Sequence, residues 1–223
     1  MATAAALVGV AAIAPSPTAS GQSGQPAADV KAEGNVFTGG LGFNPAGVSV
    51  KVGQVVRWTN TDPVVPHTAT ENHGLWDEGG TYGQTPANPS GFGPGESRQR
   101  TFEAGTQHYY CRVHPTKMHG VVAVPVTLAR VVHTLRQRHR SRKLRYVVAT
   151  WASAAPAPGQ VFDVQIMRRG GSWTAFRTGT RTASGSFRSG KRRALQWSVR
   201  ARLRKASDAE AATDWSPVAS IVG

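Results

Sequence analysis

The chain has 223 residues, 25 of them glycine and 14 proline, with only 17% charged, a composition that favours short strands joined by turns over a helical bundle. Its formal net charge of +14 is lopsided: residues 1–125 carry seven Lys/Arg against eight Asp/Glu, while 126–223 carry nineteen against four, which argues for two modules. No apolar run approaches the roughly 20 residues of a bilayer span, and the single cysteine excludes an internal disulfide.

The first twenty residues, MATAAALVGVAAIAPSPTAS, resemble the apolar core and cleavage region of an export signal. A Ser/Gly/Gln/Pro-rich stretch follows, so residues 1–30 read as a signal-like, flexible leader. Export implies an extracytoplasmic or cell-envelope location, where an unpaired cysteine needs a purpose.

From residue 31 to 125 the pattern is that of antiparallel strands. Val48, Val50 and Val52 alternate with polar residues, Gly53 interrupts, and Val56 and Trp58 resume period two before an Asn60-Thr61-Asp62-Pro63 turn. A strand around Phe102, a turn at Ala104-Gly105 and a strand through Tyr109 into Cys111 come next. Alternation places Tyr109 and Cys111 on one face and His108 on the other. The stretch CRVHPTKMHG, residues 111–120, gathers the only cysteine, two histidines and a methionine, and GVVAVPV supplies a closing strand. Thiolate, imidazole and thioether are soft or borderline donors, a combination that selects copper. Cysteine with two histidines also suits zinc, but a thioether does not.

These residues resemble a family over 35–126. V-R-W-T-N (56–60) ahead of His67-Thr68, T-F-E-A-G-T (101–106), and Y-Y-C-R-V-H-P (109–115) ahead of Met118 and Gly120 are similar, in order, to the plastocyanin-like small blue copper proteins, the cupredoxins. The resemblance implies a Greek-key β-sandwich holding one copper ion by His67, Cys111, His114 and Met118, and one-electron transfer through the edge of His114 to a redox partner protein. Met118 lies four residues after His114, where family members commonly have three or five, and His119 is the residue that would intrude if the loop bulged. Gln107 stands where the family often has an aromatic residue. Thr68 and Asn60 are expected to brace the site, and Pro115 to stiffen the loop. His73 reads as a loop histidine, and Trp58, Trp76, Phe92 and Phe102 as packing.

Residues 126–223 alternate again: Val147 to Trp151, then Phe162, Val164 and Ile166, then Leu195, Trp197 and Val199. Trp151, the strand at Val199 to Ala201 and Trp215-Ser216-Pro217 resemble a fibronectin type III domain, which implies a second, immunoglobulin-like β-sandwich; Leu195 stands where that family carries a tyrosine. Seven Lys/Arg fall between Arg130 and Arg145 and seven more between Lys191 and Lys205. Such a surface attracts polyanions. The two basic tracts hold a single interleaved aromatic residue, Trp197, which disfavours nucleic acid and leaves anionic envelope polymers or lipid headgroups as partners.

The sequence therefore predicts an exported all-β protein of two sandwiches that carries electrons rather than turning over a substrate. Copper storage, delivery or sensing by the same ligands, and an adhesive module without redox function, are the rival readings.

Overall fold

A computed structural model describes residues 25–35, 39–79, 91–137, 140–190 and 195–222. The export-like leader up to residue 24 and the cations Arg138, Lys191, Arg192 and Arg193 lie outside them. Every regular element among the described residues is a strand, as the composition favours.

Eight strands build the first unit: β1 (Ala28–Asn35), β2 (Gly39–Asn44), β3 (Gly47–Ser49), β4 (Gln54–Asn60), β5 (Thr70–Glu71), β6 (Ser97–Phe102), β7 (Gly105–Tyr110) and β8 (His119–Val124). They form two four-stranded sheets, ordered β2-β1-β4-β6 and β3-β8-β7-β5. The β1–β4 and β3–β8 pairs are parallel and the others antiparallel. Alternation decides the inward faces: Val56, Trp58 and Asn60 of β4, Gln107 and Tyr109 of β7, and Val122 and Val124 of β8 are buried. Between the sheets Trp58 meets Trp76, Phe102 and Tyr109 with ring centroids 5.6 to 5.8 Å apart. Gln107 fits this aromatic core because its polar ends are satisfied. Trp76 Nε1 donates to its Oε1 at 2.8 Å, and its Nε2 donates to the Glu103 carbonyl at 3.0 Å.

Seven further strands follow: β9 (Thr127–Gln137), β10 (Arg140–Thr150), β11 (Gln160–Arg168), β12 (Thr174–Thr180), β13 (Ser184–Arg188), β14 (Gln196–Lys205) and β15 (Ala219–Val222). They make a three-stranded sheet, β13-β10-β9, and a four-stranded one, β12-β11-β14-β15. Rings from both sheets interleave, Trp151 with Phe176, Phe176 with Phe187 and Phe187 with Trp197, so these strands form a second sandwich.

The two units join at the Glu103–Thr106 corner. Ala104 N donates to Trp151 O at 2.9 Å, and Thr106 and Asp214 exchange amide hydrogen bonds of 3.0 Å. Glu103 accepts the Ser153 amide at 2.8 Å and the Ser153 hydroxyl, and His108 pairs with Asp214 at 3.2 Å. Thr106 lies five residues before Cys111 along the strand, ~17 Å at the rise of extended chain. The junction therefore sits toward the far end of β7 from the cysteine.

Candidate metal centre

At Asn60 the β4 strand enters a turn that two side chains hold. Asn60 Oδ1 accepts the Asp62 amide at 2.8 Å, and Asn60 Nδ2 donates to the carbonyls of Val65 and Phe92 at 2.8 and 3.0 Å. Asp62 Oδ1 then accepts the amides of Val64 and Val65 at 2.8 and 2.9 Å. The expected bracing by Asn60 is present, and it delivers His67 into reciprocal backbone hydrogen bonds with Phe92.

The loop after β7 closes on itself. Cys111 N donates to Met118 O at 3.0 Å, His114 N to Cys111 O at 3.2 Å, and the amides of Lys117 and Met118 to His114 O at 3.1 Å. With the turn and the loop in place, one donor atom each from His67, Cys111 and His114 lies within 4.8 Å of the other two. Cys111 Sγ stands 3.7 Å from His67 Nδ1. His114 Nδ1 is buried without a hydrogen-bond partner, a costly condition that a bound metal relieves. One sulfur and two imidazole nitrogens in a buried cluster fit one copper ion.

Met118 is fully buried where the loop closes, whereas His119 is exposed and begins β8. His73 is outside the cluster, 3.1 Å from Glu71, and His108 faces away toward Asp214. Gly120 serves packing rather than a turn: it lies within β8, and a Cβ there would come 2.3 Å from the Tyr109 ring.

Around the donors the polar groups are interlocked. Thr68 N donates to Cys111 Sγ at 3.4 Å, and Thr68 Oγ1 accepts the Arg112 amide at 2.8 Å. Thr70 Oγ1 donates to Asp77 Oδ1 at 3.0 Å, and Asp77 pairs with Arg112 at 2.9 Å. Thr68 thus does what was expected of it and ties the cysteine loop to the strand after His67.

Burial lowers the His67 pKa to about 4, with the His114 charge acting the same way and Asp62 opposing. Burial also lowers that of His114, again against Asp62. Both rings are therefore neutral at neutral pH, the form that binds metal. Asp62 is the site residue that sequence reasoning missed. Its Oδ2 lies 3.6 Å from His67 Nε2, both side chains are fully buried, and neither atom has a hydrogen-bond partner. Burial works to raise the Asp62 pKa, but the Val65 and Val64 amides and the His67 ring outweigh it and hold it below the ordinary value. The result is a buried carboxylate behind a candidate ligand. Its signal was faint, because an aspartate in an Asn-Thr-Asp-Pro turn looks like a turn former and nothing more.

Residues 29–125 match the family model of copper binding proteins of the plastocyanin/azurin family. No curated protein matches the chain. Among solved structures it is similar to a purple cupredoxin from Nitrosopumilus maritimus, with 30% identity, 44% of this chain and 98% of that one covered, and a TM-score of 0.31. It is also similar to the Cu(I) form of a methionine-to-alanine variant of amicyanin, with 25% identity, 46% and 86% covered, and a TM-score of 0.34. The family match assigns residues 29–125 to the copper-binding proteins of the plastocyanin/azurin family.

Proposed function

We propose that this protein is an exported type 1, blue, copper protein that carries single electrons. The observation that carries the reading is the buried convergence of His67, Cys111 and His114 within 4.8 Å. In this reading those three side chains, with the thioether of Met118, would hold one copper ion. A copper ion held there would supply a one-electron couple between Cu(I) and Cu(II). The chain's own task is to keep the donors still while charge changes, and the loop hydrogen bonds, the Thr68–Cys111 contact and the Asn60–Asp62 turn all serve it.

His114 is the electron port. It is half-buried and borders a surface hollow of about 620 Å³ with Gly39, Leu41, Val113, Pro115 and Lys117. That rim is largely apolar and suits transient docking of a redox partner protein. The second sandwich, with sheets of three and four strands in the order β13-β10-β9 and β12-β11-β14-β15, supports a fibronectin type III-like reading of 126–223. Its net charge of +15 supports attachment to an anionic envelope polymer or lipid headgroups.

Voltammetry of the copper-loaded protein tests the proposal against storage or delivery. A fast, reversible one-electron wave that vanishes in Cys111→Ala is expected. A copper protein with a sluggish or irreversible response would be a carrier of metal, not of electrons.

A further inference from the structure

Among the described residues, cations of 126–223 have carboxylate or aromatic partners in the four-stranded sheet, and none in the three-stranded sheet has a carboxylate within ion-pair distance. In β12-β11-β14-β15, Arg202 and Arg204 reach Asp163 at 3.3 and 2.9 Å, and Arg200 stacks on Trp173 and Trp215 at 4.3 and 4.6 Å from their ring centroids. The strands of β13-β10-β9 contain seven Lys/Arg and no Asp or Glu. Among the described residues no carboxylate stands within ion-pair distance of Arg142, Lys143, Arg145 or Arg188.

The backbone shapes these cations into a hollow. β13 accompanies β10 only as far as the Tyr146–Arg188 pair. Ser189 N then donates to Arg145 O at 3.1 Å, and the following Gly190 has a φ of +95°. Because strand residues alternate sides, Lys143 turns its amide toward the same edge as Arg145, beyond the last described pairing. The notch left there measures about 300 Å³ and is lined by Arg142, Lys143, Leu144, Arg145, Arg188 and Gly190. Four like charges around one hollow repel each other until an anion enters.

We propose that this notch binds a chain of repeated phosphate groups. A single phosphate carries a charge of only about −1.5 to −2, too little to balance four cations. Guanidinium groups pair two donors with two oxygens of a phosphate, and the edge of β10 that no described strand covers admits a linear ligand. The inference rests on the reading of the basic module as a polyanion binder and gives that reading a site and a ligand class; it does not involve the metal centre.

The test is calorimetric titration of the full-length protein with inorganic tripolyphosphate at physiological ionic strength, with vesicles of phosphatidylglycerol examined in parallel. The variant is Arg145→Gln/Arg188→Gln, and the control, equal in charge change, is Lys31→Gln/Lys51→Gln in the first unit. Saturable one-to-one binding, weakened roughly tenfold or more in the first pair and within about twofold of wild type in the second, is expected. Melting temperatures of both variants separate loss of ligand from loss of fold. Equal weakening in the two pairs would mean diffuse attraction and overturn the site. Vesicle binding without uptake of tripolyphosphate would also overturn it, while leaving envelope attachment standing; failure of both probes would remove attachment as well.

Discussion

Asp62 brings a carboxylate to 3.6 Å from the outer nitrogen of His67, in a place neither side chain shares with water. A fixed negative charge so close to a candidate ligand ring would favour the more positive oxidation state of a bound copper ion. Asp62→Asn is therefore expected to raise the midpoint potential by roughly 60 to 120 mV, about one to two factors of ten for a one-electron couple. A redox titration that finds the potential unchanged would reduce Asp62 to a turn former. The depressed pKa of His67 makes a second prediction, for the metal-free protein. The ring has a pKa of about 4 in the fold against 6.5 when unperturbed, so the unfolded chain binds more protons between those values. Stability present above pH 6.5 is then lost as pH falls toward 4, by up to about 3 kcal/mol from this group. Depression of the Asp62 pKa acts with the same sign in the carboxylate range. Denaturant midpoints measured across that window should fall with pH, and a flat profile would contradict the burial of His67 as a neutral ring.

The loop between β7 and β8 is the element on which the site depends. The four-residue spacing from His114 to Met118 departs from the three or five common in the family, and spacing alone does not say which side chain turns inward. Closure by the Cys111 N–Met118 O hydrogen bond buries Met118 and leaves His119 outside. Met118→Leu keeps the volume and is expected to cost less than about 1.5 kcal/mol of stability. It should nevertheless shift the visible spectrum and the potential of the copper form; a variant identical to wild type in both would exclude Met118 from the copper. Gly120→Ala should behave in the opposite way. Its Cβ would strike the Tyr109 ring, so a loss of about 1–3 kcal/mol in thermal stability is expected as the pair of strands is forced apart. The strands themselves were legible because half-buried strands write their faces into period two, as Val56 with Trp58 and Phe162 with Val164 do. Asp62 was not, since a turn aspartate has the same sequence context whether or not an imidazole packs behind it. The notch at β10 was equally hidden: a basic run reads as a solvated face until the register shows where β13 stops.

Across the whole molecule, one buried cluster runs from Val30 through Trp58 and Tyr109 to Trp151, Phe162 and Leu203. Two sandwiches with a continuous core and a hydrogen-bonded corner should unfold together, in a single calorimetric transition. Glu103→Ala removes the acceptor of the Ser153 amide and hydroxyl, at a cost of about 1–3 kcal/mol. It is expected to lower or split that transition while leaving the copper potential unchanged, because the corner lies toward the other end of β7 from Cys111. The His114 rim lies on one unit and the β10 notch on the other, so the proposed redox docking and the proposed polyanion binding would not compete for one surface.

Titration of the metal-free protein with Cu(II), followed by visible absorption through reduction and reoxidation, tests the copper centre most directly. An intense blue band that saturates at one copper per chain, bleaches on reduction and returns on reoxidation is the expected result. A folded protein that binds no copper, or binds it without thiolate colour, would contradict the assignment of Cys111, His67 and His114 as its ligands.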